Sequence, residues 1–134
     1  YSTVRAGAKA LMQGGGSIVL CSTAAARTGL ANHEAVAAAK AGVIGLTLSA
    51  AATYAGRNIR VNCVAPGLTD TPLAARITSN EAALKASAAM HALGRIGRAD
   101  EVASGIAWLL DPENSWVTGQ VLGIDGGLGT LRPR

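Results

Sequence analysis

Ser22 and Thr23, Lys40, and the run Pro66-Gly67-Leu68-Thr69-Asp70-Thr71 are the residues whose types and spacing point to chemistry. Adjacent hydroxyls can hydrogen-bond a polar ligand, and an ammonium adds a point charge with three donors. His33, Val36 and Lys40 fall at i, i+3 and i+7, which is one face of a helix. An imidazole at the start of such a face suits proton transfer near neutral pH. Each group also has a plainer reading. Lys40 can be a solvated lysine. Ser22 and Thr23 can satisfy loop backbone groups, and Pro66-Gly67 can be only a turn. His33 can simply begin a helix.

For these groups to act together, the chain must bring them to one place. Val4, Ala8, Leu11 and Met12 are at helical spacing, and Gly14-Gly15-Gly16 ends that helix. Ser17 to Cys21 is short, apolar and partly β-branched, as in a buried strand. A loop from Ser22 to Asn32 leads to a long helix over 34–54, rich in Ala and Leu, with Gly56 as its stop signal. Ile59 to Ala65 reads as a second strand closed by Pro66-Gly67. Residues 70–93 read as helical, with a break and restart at Thr78-Ser79-Asn80-Glu81. Residues 95–98 read as a loop, Asp100 as the cap of a helix running to about Leu110, and Val121 to Ile124 as a last strand.

Short apolar strands alternating with helices predict a parallel sheet with right-handed crossovers, an α/β fold. Three strands are few, so at least one sheet edge should expose backbone groups. In such sheets ligands lie beyond the carboxyl ends of the strands. Ser22-Thr23 and Pro66 to Thr71 follow those ends, and the 34–54 helix begins on the same side. Hydroxyls, a lysine and a Pro-Gly turn therefore converge on one sheet edge.

The composition narrows the function classes. The 134 residues carry a formal net charge of +4, with 49% hydrophobic and 15% charged side chains, which excludes a solvated disordered chain. The twelve Lys and Arg are scattered, and no basic run is interleaved with aromatics, so a nucleic-acid partner is not expected. No apolar run reaches the roughly 20 residues of a membrane span. The first residues lack a signal-peptide pattern, so a soluble, cytoplasmic protein is expected. Cys21 and Cys63 sit inside apolar runs and are expected to be buried reduced thiols. With 28 alanines, 17 glycines and no phenylalanine, each buried side chain removes little area from water. Help from a partner chain or a further part of the fold is expected.

Several ordered motifs carry a family resemblance. Ser17 to Thr23, Lys40-Ala41-Gly42-Val43-Ile44-Gly45-Leu46-Thr47, Arg60 to Gly67, Gly94-Arg95-Ile96-Gly97 and Thr118 to Gly127 resemble the C-terminal half of a classical short-chain dehydrogenase/reductase. The resemblance implies a partial doubly wound, Rossmann-like domain over 1–134, in which residues 70–93 form a substrate lid. It implies oxidation of alcohols or reduction of ketones with NAD or NADP, on a small-molecule substrate, in a homo-oligomer. A tyrosine would move the proton, a lysine lower its pKa and hold the ribose, and a serine orient the carbonyl.

Lys40 fits the lysine. Thr23 aligns with the serine, with Ser22 beside it, and Pro66, Gly67, Leu68 and Thr71 fit the cofactor-side turn. The tyrosine position, four residues before Lys40, holds Val36, whose isopropyl group cannot donate a proton. Gly14-Gly15-Gly16 precedes a strand and is no substitute for a phosphate loop joining strand to helix. The resemblance therefore implies a partial or impaired oxidoreductase. The alternatives are a non-catalytic module kept for assembly and a changed site in which His33 replaces the missing acid.

Overall fold

The structure is a computed structural model and describes residues 1–132. Helix α1, Ser2–Leu11, buries Val4 and Ala8 on one side. The glycines after it let the chain reverse tightly. Gly15 has φ +73, and a Cβ there would lie 2.6 Å from the Asn58 carbonyl oxygen. Strand β1, Gly16–Cys21, follows. It pairs in parallel with β2, Ile59–Pro66, from Gly16 opposite Ile59 to Cys21 opposite Val64. Strand β2 pairs in parallel with β5, Val121–Ile124, from Cys63 opposite Val121 to Pro66 opposite Ile124. The order β1-β2-β5 is the expected three-stranded parallel sheet.

Strand β2 is central, and Ile59 to Ala65 are all buried. Side chains alternate across a strand, and the two faces differ. Ile59 and Val61 join Val4, Ala8, Ala50 and Ala51 in the apolar core under the helices. Arg60 and Asn62 point the other way and are held by backbone. Arg60 donates to the carbonyls of Leu109 (2.9 Å), Val117 (3.0 Å) and Asp111 (3.0 Å). Asn62 bridges Val117 and Gln120. These bonds tie the start of β2 to the end of α5, Ala99–Leu110, which covers that face of the sheet.

Helix α2 spans Glu34–Tyr54, as expected, and buries Thr47, Ala50 and Ala51. Its stop is not Gly56. The chain continues through a 3₁₀ turn, Ala55–Arg57, and reverses at Asn58, φ +56, a conformation asparagine tolerates better than most residues. Contrary to the reading of apolar runs, Glu34–Arg57 is long and apolar enough to cross a membrane by length and composition. In this fold it packs along β2, with most of its remaining surface outward.

The 70–93 segment has the expected break. A 3₁₀ turn, Pro72–Ala74, runs into α3, Ala75–Thr78. Helix α4, Glu81–Met90, restarts where the Asn80 side chain accepts the Ala83 N–H. Residues 97–98 are not loop. They form β4, Gly97–Arg98, paired with β3, Thr69–Asp70. Asp100 does not cap α5. The Glu101 carboxylate accepts the Arg98 N–H at 2.8 Å, while Asp100 pairs with the Arg98 side chain. Cys63 is buried as expected, but Cys21 is exposed, because β1 is an edge strand and Cys21 is its last residue.

Candidate active site

The carboxyl ends of β1 and β2 place Ser22-Thr23 beside the Pro66–Thr71 turn, and α2 brings Lys40 alongside. Two reciprocal bonds fasten this corner. The buried Ser22 hydroxyl donates to the Lys40 carbonyl at 2.8 Å, and the Lys40 Nζ donates to the Cys21 carbonyl at 2.9 Å. The Ser22 hydroxyl proton is thus committed to structure. Lys40 keeps two further ammonium protons and is only half-buried. The Thr23 oxygen accepts the Ala25 N–H at 3.3 Å and lies 3.5 Å from the Pro66 carbonyl, beyond a good hydrogen bond. Of the two hydroxyls, Thr23 is the one whose proton is weakly held.

Val36 lies one helical turn before Lys40 and is 43% exposed. His33 precedes α2, and its Nδ1 donates to the Ala31 carbonyl at 2.8 Å, which leaves Nε2 outward. Among the described residues no tyrosine hydroxyl hydrogen-bonds Lys40, whose Nζ donates to the Cys21 carbonyl. Tyr1 is at the exposed start of the chain, and Tyr54 packs on the core at the far end of α2. Fourteen residues at ~1.5 Å rise put Tyr54 about 21 Å along the axis from Lys40.

The turn is held from several sides. The Gly67 N–H donates to the Ile124 carbonyl at 3.1 Å, and the Gly97 N–H to the Leu68 carbonyl at 2.9 Å. The Thr69 hydroxyl donates to the Gly67 carbonyl at 3.1 Å, while Thr71 reaches the Thr69 carbonyl at only 3.4 Å. The N–H of Leu68 donates to Nε2 of His91 at 3.1 Å. His91 was not legible as part of the site, because it ends an alanine-rich helix and no spacing connects it with Leu68.

A cavity of about 410 Å³ opens behind this turn, lined by Gly67, Leu68, His91, Arg95, Glu101 and Asp125 among others. Thr23, Val36 and Lys40 do not line it, so the cavity and the candidate chemistry share only the turn. Arg95 grips Glu101 through both guanidinium nitrogens, at 2.9 and 2.7 Å. That contact, with the Arg98 N–H, pulls the Glu101 carboxyl down to about 2. Behind β1, burial pushes the Cys63 thiol up, partly offset by hydrogen bonds from Ser22 and Thr47.

The residues present fit one side of a dinucleotide. Lys40 offers ammonium protons to hydroxyls, and the Pro66–Thr71 turn offers a short, pinned edge with a weakly held hydroxyl at Thr71. Gly14 to Gly16 join α1 to β1, at the opposite end of the strands, and are no phosphate loop.

The sequence pattern of the family described as Enoyl-(Acyl carrier protein) reductase matches residues 1–129. The 3-oxoacyl-(acyl-carrier-protein) reductase FabG of Thermotoga maritima is 47% identical over 118 residues, covering 88% of this chain and 47% of that protein. The cis-4-hydroxycyclohexanecarboxylate dehydrogenase of Sinomonas cyclohexanicum is 47% identical over 114 residues, covering 85% and 45%. Among solved structures, a short-chain type dehydrogenase/reductase from Mycobacterium ulcerans superposes with a TM-score of 0.90 at 34% identity, covering 97% of this chain and 48% of that one. ElxO with NADP bound superposes with a TM-score of 0.82 at 29% identity, covering 96% and 51%. The chain thus spans about half the length of the relatives it matches.

Proposed function

The chain belongs to the short-chain dehydrogenase/reductase family of oxidoreductases, and from that premise we propose that it carries the lysine-and-hydroxyl side of an NAD(P)-dependent alcohol/ketone site whose proton-transfer step is impaired. The observation that carries this reading is Val36, one turn before Lys40, with Tyr54 at the far end of α2 and no tyrosine hydroxyl bonded to Lys40 among the described residues. When bound, the dinucleotide supplies or takes the hydride. Lys40, Pro66, Gly67, Leu68 and Thr71 would hold it.

This chain's own residues perform the rest. Lys40, anchored on the Cys21 carbonyl, presents its remaining protons to ribose hydroxyls. Thr23 offers a hydroxyl to orient a substrate oxygen. At position 36 no group moves the proton, and a placed acid or base typically contributes about 10²–10⁴ in rate. The substrate class is a small alcohol or ketone.

The test is Val36→Tyr in the protein assembled with a cofactor-binding half of this family, followed by NADPH fluorescence and ketone-dependent NADPH oxidation. Binding should be equal with Val or Tyr at 36, and turnover should rise about 10²–10⁴-fold with Tyr. Unchanged turnover with intact binding overturns the assignment of position 36.

The alternative, a non-catalytic module kept for homo-oligomeric assembly, is favoured by the outward surface of α2. That surface exposes Val36, at 43%, and Leu48, at 51%, among small residues. Sedimentation of the purified chain decides it: a dimer or tetramer that binds no NADPH supports the module, and a monomer refutes it.

A further inference from the structure

His91 is 3% exposed, and both of its ring nitrogens are occupied. Nδ1 lies 2.7 Å from the Ser87 carbonyl, which can only accept, so Nδ1 carries a proton. Nε2 lies 3.1 Å from the Leu68 nitrogen, which can only donate, so Nε2 is bare. The two contacts together define a neutral ring in one tautomer. The ring also lies against Gly67, where a Cβ would meet Nε2 at 2.6 Å. The chain turns after His91, where the Gly94 N–H donates to the His91 carbonyl at 2.8 Å, and Leu93 joins that turn to the one after β5, its N–H donating to the Gly126 carbonyl at 3.0 Å.

We propose that His91 is a positioning residue, a neutral imidazole latch that fixes the Leu68 N–H and releases it when protonated. It touches neither Lys40 nor Thr23 and acts only through the turn. A proton on Nε2 would set two donors face to face across 3.1 Å and remove the one bond that Leu68 N–H makes. The charged groups around it are few. From the β5 turn comes Asp125, whose carboxylate is already taken by the N–H groups of Gly127 and Gly129 at 2.9 and 3.0 Å. Across the cavity stand Arg95 and Glu101, paired with each other. From α4 only the Ser87 carbonyl reaches the ring. None of these supplies a carboxylate committed to an imidazolium, so protonation weakens the turn without a compensating ion pair. That the turn contacts a nicotinamide dinucleotide rests on the function proposed above.

Amide hydrogen exchange and imidazole ¹⁵N shifts of the labelled chain test the latch without cofactor. The Gly67 amide is the internal control, because its acceptor is the Ile124 carbonyl, which does not titrate. On acidification, protection at Leu68, corrected for intrinsic rates, should fall on the order of tenfold relative to Gly67, in step with protonation of His91. In His91→Gln, which keeps an acceptor near the Nε2 position, that pH dependence should vanish. NADPH affinity should weaken in acid for the parent and not for His91→Gln. Equal protection of Leu68 and Gly67 at every pH, or a His91→Gln protein with the parent's profile, overturns the proposal. If the variant does not fold, the parent's Leu68-to-Gly67 ratio still decides. A pH-dependent ratio with no NADPH binding at any pH, in the protein assembled with a cofactor-binding half of this family, upholds the latch and refutes the cofactor reading of the turn.

Discussion

Replacing Arg60 by Met should cost about 1–3 kcal/mol of folding stability. The guanidinium is 8% exposed, has no carboxylate partner among the described residues, and is satisfied by three backbone carbonyls at the end of α5 and just beyond it. Helix ends leave carbonyls without intrahelical partners, and a cation there also meets the negative end of the helix dipole. Methionine keeps most of the aliphatic stem and removes all three bonds. The Leu109 carbonyl retains the Ser17 hydroxyl at 3.0 Å and the Val117 carbonyl the Asn62 amide at 2.9 Å, so the Asp111 carbonyl is the one left without a partner. Each buried acceptor left without a partner costs about 1–3 kcal/mol. Relief of the cation's own desolvation offsets part of this. A domain of this length is stabilised by roughly 7–20 kcal/mol at 0.05–0.15 per residue, so the loss is a large fraction of the total. Urea denaturation followed by far-UV circular dichroism reads it. With a slope of about 1–3 kcal/mol per M, the midpoint should fall by about 0.3–3 M. Arg60→Lys should recover only part, because one ammonium cannot span three carbonyls in the fork geometry. A Met variant within about 0.5 kcal/mol of the parent, on the scale of an ordinary surface change, would refute the argument that these bonds hold α5 to the sheet.

Two further outcomes follow from the thiols and the Arg95–Glu101 pair. Cys21 is exposed and Cys63 is buried with its thiol pushed up. Native protein should therefore react with one equivalent of Ellman's reagent, denatured protein with two, and Cys21→Ser with none until it unfolds. Glu101 is held down at about 2 by Arg95 and the Arg98 N–H. Its folded value lies below the ordinary glutamate range, so the unfolded chain binds the extra proton. Its stabilising contribution is then complete above about pH 5 and is lost as pH falls toward 2. Urea midpoints from pH 6 to pH 2 should drop less steeply in Glu101→Gln than in the parent, and parallel slopes would contradict the pairing.

Much of the fold was legible because the relevant signals are local. The 21 residues of α2 have no internal breaker strong enough to stop a helix, and β5 is bracketed by turn glycines, so both match their expected bounds. What escaped depends on partners distant in sequence. Gly97-Arg98 is a strand only because Thr69-Asp70 lies beside it. Cys21 is exposed only because β1 has no neighbour on its outer side among the described residues. Asp100 was the better cap by residue type, but the Glu101 carboxylate reaches back to the Arg98 N–H. In the candidate site, the helical face shared by Val36 and Lys40 was visible from spacing. The commitment of the Ser22 hydroxyl to the Lys40 carbonyl was not, since it requires knowing where β1 ends against α2. The part played by His91 had no signature at all.

The bond from Lys40 to the Cys21 carbonyl gives this lysine a part in holding α2 to the end of β1, separate from any ligand. A side chain that also staples helix to strand has a reason to persist whatever stands one turn before it. Survival of the amine beside an aliphatic neighbour is then no vote for activity. A lysine placed this way is scored as a site residue and as a structural one by the same contact, and the two readings separate only at the residue one turn before it.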